Sequence, residues 1–98
     1  MLTIKQGDTR NAIVVRLKKN GNYIDLTDCH IKFYMSGKID GAYCTVLEDG
    51  RVMYPLEAYA VDTSGVFYAE FKVVYHDGRI DTFPNDRYMK INIVRDLS

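Results

Sequence analysis

The sequence predicts an all-β domain, an antiparallel immunoglobulin-like β-sandwich of seven to eight short strands. Three observations predict it. Apolar residues alternate with polar ones at a period of two through most of the chain. Turn dipeptides that tolerate positive φ separate these runs at fairly regular intervals. Only residues 56–61 could hold a helical turn, and that segment is too short to build a layer.

The elements follow in order. Residues 2–5 form a first short strand, and Gly7-Asp8-Thr9 bends the chain into a second at residues 12–18. There Ile13, Val15 and Leu17 alternate with Val14, Arg16 and Lys18. Asn20-Gly21 is a hairpin signal. Next, Ile31, Phe33 and Met35 alternate with His30, Lys32 and Tyr34, and Ser36-Gly37 breaks the run. Asp49-Gly50 precedes the alternation of Val52, Tyr54 and Leu56 with Met53 and Pro55. After Ser64-Gly65, one face carries Phe67, Ala69, Phe71, Val73 and Tyr75, and the other carries Tyr68, Glu70, Lys72 and Val74. Asp77-Gly78 closes another hairpin, Pro84-Asn85 breaks the chain, and Met89, Ile91 and Ile93 mark the last strand. Residues 2–5 and 88–94 are the expected sheet edges; neither run carries an internal proline. With no tryptophan, the sequence supports the architecture of immunoglobulins and not kinship with them.

Length and composition bound the function. Ninety-eight residues suit one domain, residues 1–98, with a single core. Thirteen basic and thirteen acidic residues cancel, so no net charge draws the chain to nucleic acid or anionic lipid. No apolar run approaches the ~20 residues of a bilayer span, and the N-terminus lacks a signal-peptide pattern. Synthesis in the cytoplasm is the expectation. A hairpin centred near Lys38 would set Cys44 opposite Phe33 and Cys29 opposite Glu48. That offset, ~13 Å at ~3.3 Å per residue, is too long for a disulfide, so free, buried thiols are expected.

Chemistry finds little footing. Cys29 and His30 point to opposite faces of a strand, His76 sits in a turn, and no ligand spacing for zinc or calcium is present. Ser36, Ser64 and Thr9 lie in turns with no base placed beside them. Asp25, Asp28, Asp49 and Asp62 read as turn formers. Gly7-Asp8-Thr9 precedes a strand instead of a helix, so it is not a phosphate loop; Asp8 is expected to accept backbone N–H groups in an Asx turn. No catalytic, metal or cofactor residue is assigned. Eight tyrosines are more telling: Tyr34 and Tyr68 fall on polar strand faces and Tyr88 lies near a strand end, which makes these three the candidate interface residues.

The ordered features resemble a known family. "QGDTRNAIVVRL" is followed by Gly21 with Ile24-Asp25-Leu26-Thr27, then Phe33 and Met35, then Asp49, Gly50, Val52, Tyr54 and Leu56. Gly65, Phe67, Ala69, Glu70 and Phe71 come next, and Asp77, Gly78, Arg79 with Thr82-Phe83-Pro84 close the series. This resembles the N-terminal domain of the baseplate upper protein family of tailed phages of Gram-positive hosts. The resemblance implies an immunoglobulin-like sandwich that anchors to other virion proteins of the tail, baseplate or capsid. It also implies a virion location and homo-oligomeric use within the particle. It makes Gly7, Asp8, Thr9, Asp25, Gly50, Gly65 and Gly78 structural turn residues. The sequence stops just after the last strand, so a fragment and a stand-alone building block are both open, and the receptor-presenting half of the family's role is not implied. The alternatives are a capsid decoration or head-fibre anchoring domain, and a carbohydrate-binding module using Tyr34 and Tyr68 as a platform.

Overall fold

A computed structural model describes residues 2–10, 12–85 and 88–97. Among these residues the chain is all-β, with eleven strands and a single short 3₁₀ turn. The strands are β1 (Leu2–Lys5), β2 (Ala12–Val15), β3 (Lys18–Lys19), β4 (Asn22–Tyr23), β5 (His30–Met35), β6 (Ile39–Tyr43), β7 (Thr45–Val46), β8 (Val52–Pro55), β9 (Gly65–Val74), β10 (Ile80–Phe83) and β11 (Met89–Val94).

A six-stranded sheet runs in the order β1-β11-β9-β5-β6, with β10 also paired to β9. A three-stranded sheet runs β2-β8-β7, and β3 and β4 form a small ribbon. β9 is the spine. One of its edges takes β5 through residues 69–74; the other takes β11 at its first half and β10 at its second.

The period of two makes the core. Ile31, Phe33 and Met35 of β5, Ala69, Phe71 and Val73 of β9, and Ile91 and Ile93 of β11 are all buried. Ile13, Val52 and Tyr54 of the smaller sheet join them in one cluster. The two sheets meet where the Phe33 ring stacks on Tyr54 at 4.6 Å and tilts against Phe71 at 5.0 Å. Rings at these separations add to the area term that drives burial.

Four expectations are corrected. The strand count exceeds eight because expected runs split: residues 12–18 become β2 and β3 as the chain leaves the smaller sheet. Asn20, at φ +54, and Gly21, at φ +81, then close the β3–β4 ribbon. Pairing is mixed, since β1 runs parallel to β11 with Leu2 opposite Ile91 and Ile4 opposite Ile93. Turn dipeptides specify only hairpins, whereas this pairing joins the two ends of the chain. It follows that 88–94 is no edge: β11 lies between β1 and β9, and the outer strands of the large sheet are β1, β6 and, beside the second half of β9, β10. Finally, the β5–β6 turn closes by a Lys38 N–H to Met35 carbonyl bond, and a register shift follows between Phe33 and Tyr34. Ala42 thus lies opposite Phe33, and the Cys44 N–H donates to the Ile31 carbonyl. Both cysteines are free, as expected, but half-buried.

The 3₁₀ turn at Ala58–Ala60 buries Ala60 and Val61. The Val61 carbonyl accepts the Gly7 N–H at 2.9 Å, so this short turn anchors the start of the chain.

Candidate functional site

The opening bend is made by backbone. The Asp8 N–H donates to the Lys5 carbonyl at 3.0 Å and Gly7 takes φ +86, a conformation that favours glycine. The Asp8 carboxylate accepts no hydrogen bond from a described residue, and Asp8 and Thr9 are exposed. The side chain that ties this corner down is Gln6. Its amide nitrogen donates to the Asp62 carbonyl at 2.8 Å, its amide oxygen accepts the Asp96 N–H at 3.4 Å, and its backbone N–H donates to Val94. Nothing in a lone glutamine beside a turn signals that role.

The Asx turn lies elsewhere, at Asp25. Its carboxylate accepts the Thr27 N–H at 2.9 Å and the Thr27 hydroxyl at 2.6 Å. These bonds, the hydroxyl first, hold its pKa below the ordinary value. Gly50 and Gly78 close like turns: each follows an aspartate whose carboxylate accepts the N–H of the next arginine, Arg51 from Asp49 and Arg79 from Asp77. Gly65 opens β9 opposite Ile93. The seven turn residues are thus dispersed and form no common site.

The surroundings of both thiols disfavour the thiolate. Burial pushes the Cys44 thiol up to about 12, and burial, then the Asp25 and Asp28 charges, raise that of Cys29. No three His, Cys, Asp or Glu side chains gather among the described residues as a metal site would need. No helix of the described chain is long and apolar enough to cross a membrane. The Tyr54 hydroxyl is buried with no hydrogen-bond partner at ordinary geometry, and burial, then the neighbouring Tyr59 hydroxyl, raise its pKa.

The outer face of the six-stranded sheet is where the candidate interface residues fall. Tyr68 and Tyr88 meet edge to face, with ring centroids 6.0 Å apart. Together they border two open grooves. One, of about 660 Å³, is also lined by Tyr34, Ser36, Asp40 and Glu70; the other, of about 800 Å³, by Leu17, Phe83 and Lys90. Ser36 fixes the Tyr68 backbone: its hydroxyl accepts the Tyr68 N–H at 3.0 Å, and its own N–H donates to the Tyr68 carbonyl at 2.8 Å. Tyr34 is less available than its position on a polar face suggests. Its ring lies so close to Gly41 that a Cβ there would sit 3.1 Å from the hydroxyl, and the Lys72 ammonium stands 5.6 Å from the ring centre.

Sequence reasoning missed the groups around these tyrosines. Lys32 lies opposite both Lys72 and Tyr43, with its ammonium 5.0 Å from the Tyr43 ring centre. Tyr43, Val66 and Ile80 are exposed around them. The β3–β4 ribbon is pinned on the other face, as Lys19 bonds Asp81, which lies opposite Val73, at 2.9 Å and Asp81 accepts the Tyr75 hydroxyl at 2.8 Å. Strand registers were the signal required: β5–β9 for the two lysines, and β5–β6, with its irregularity between Phe33 and Tyr34, for Tyr43.

No curated protein matches this chain. A family model does: the BppU N-terminal domain matches residues 1–84, from the first strand to the proline that follows β10. The chain therefore belongs to the BppU N-terminal domain family, the N-terminal domain of the phage baseplate upper protein, a structural component of the virion.

Proposed function

We propose that this chain is a non-enzymatic attachment module, an immunoglobulin-like sandwich that docks onto a neighbouring virion protein through the outer face of its six-stranded sheet. The observation that carries the reading is the chemistry of that face. It presents Tyr43, Val66, Tyr68, Ile80 and Tyr88 to solvent, and large aromatic area at low entropy cost is what protein interfaces use. Family membership supplies the setting, a phage particle, and the expectation of several copies in it. Whether the neighbour belongs to baseplate, tail or capsid decides between the attachment and decoration versions of this reading.

A carbohydrate module is less favoured. Tyr34, half of the proposed sugar platform, is flanked by Gly41 on one side and by Lys72, so a stacked sugar would have to displace the lysine.

The test is mass spectrometry of purified particles combined with hydrogen exchange. The reading expects the chain in the particle at a fixed stoichiometry, with amides of β5, β9 and β11 near the tyrosines protected more than in the free domain. Absence from particles, or saturable glycan binding lost in Tyr34→Ala, would overturn it.

A further inference from the structure

The centre of the outer sheet face holds a charge arrangement that folding alone does not favour. Lys32 of β5 and Lys72 of β9 are directly opposite each other across the strand pair. Opposed like charges on one sheet face destabilise it. Among the described residues four ion pairs form: Lys19–Asp81, Lys38–Asp62, Arg51–Asp49 and Arg79–Asp77. Neither Lys32 nor Lys72 takes part in one. The acids nearest in register are Glu70, two residues before Lys72, and Asp40, opposite Tyr34; neither pairs with the two lysines. Instead each ammonium rests near a tyrosine ring, Lys32 on Tyr43 and Lys72 on Tyr34. The rings orient the two charges without neutralising them. Two ammoniums outside these ion pairs thus lie side by side on a chain with no net charge.

We infer that Lys32 and Lys72 form a carboxylate-docking site, which receives an Asp- or Glu-bearing segment of the neighbouring protein. The surroundings of the pair favour a protein carboxylate over a polyphosphate. The exposed Tyr43 and Ile80 flank the pair with apolar area that a protein surface can cover and a polyphosphate cannot. The site rests on the attachment reading for the identity of its occupant. Its chemistry can be tested without particles, so failure of one does not entail failure of the other.

The experiment is an NMR titration of the isotopically labelled chain with poly-L-glutamate, alongside thermal melts of Lys32→Glu, Lys32→Ala/Lys72→Ala and Lys72→Met. Expected are shifts centred on residues 32, 43, 72 and 82 that fade with added salt, and affinity at least ~10-fold weaker in the double variant. Lys32→Glu sets a carboxylate opposite Lys72, so it should melt no lower than the parent while losing polyglutamate binding. Lysines that serve only to cover the tyrosine rings would give the reverse: lower melting in all three variants and unchanged binding. That result overturns the site, as would shifts centred on Lys18 and Lys19. Tighter binding of inorganic polyphosphate than of polyglutamate would overturn the carboxylate assignment.

Discussion

Strand β9 presents two chemistries, one on each side. Its inward residues Ala69, Phe71 and Val73 are sealed against the smaller sheet, with Phe71 2% exposed. Its outward residues Tyr68, Glu70 and Lys72 face no second layer, and Tyr68 is 45% exposed. The same backbone and the same pairing partners serve both faces, so the contrast comes from side chains alone. The inner face shows what holds the fold: ring packing and aliphatic burial with no buried charged or polar residue among those described. The outer face shows what the fold tolerates: opposed lysines and exposed tyrosines with no layer packed over them. Opposed like charges disfavour the folded sheet, and their presence there fits the docking use proposed.

Substitutions should divide along this line. Phe71→Ala is expected to have the largest effect. Its ring packs on Phe33 beside Tyr54, and truncation of such a side chain costs ~3–5 kcal/mol, a fall in melting temperature of ~12 °C or more. Calorimetry measures it; a fall of only a few degrees would mean that the core collapses around the gap. Gly78→Ala should come next, at about 1–2 kcal/mol, because φ +87 is strained for any residue with a Cβ. A neutral result would show that the Asp77 turn relaxes.

A smaller effect follows acid. The Lys19 and Tyr75 bonds hold the Asp81 carboxyl below the ordinary carboxylate range, and the Lys38 bond does the same for Asp62. A depressed folded pKa gives stability that is present above the unfolded value of ~4 and lost as pH falls through the folded one. Melting temperature should therefore decline below about pH 4, less steeply in Asp81→Asn. An equal slope would remove Asp81 from the account. Smallest of all, Tyr68→Ala and Tyr88→Ala should change stability by no more than ~0.5 kcal/mol in denaturant melts. A larger loss would make the tyrosine pair part of the scaffold.

The inner face was legible in the sequence. Ile31, Phe33 and Met35, then Ala69, Phe71 and Val73, then Ile91 and Ile93 are core residues because a period of two survives any topology. The long-range pairings were not legible. Parallel β1–β11 joins the ends of the chain, and no local signal encodes it. The family match stops at residue 84, before β11, yet β11 supplies Ile91 and Ile93 to the core. Of the candidate interface, Tyr68 and Tyr88 could be placed on an outer surface, but their meeting depends on the path after Phe83. The lysine pair was hidden for a different reason: it appears only once β5 and β9 are set in register. Asp8 does not take the Asx role expected of it, whereas Asp25, expected as a turn former, accepts the N–H two residues on, at Thr27.

The central claim is that the outer sheet face docks onto another virion protein while the inner face holds the fold. The most direct measurement is the copy number of a Tyr68→Ala/Tyr88→Ala variant in purified particles, set against its melting temperature. The account predicts a variant that melts like the parent and is depleted from particles at least ~10-fold. Parental copy number with parental melting would contradict it.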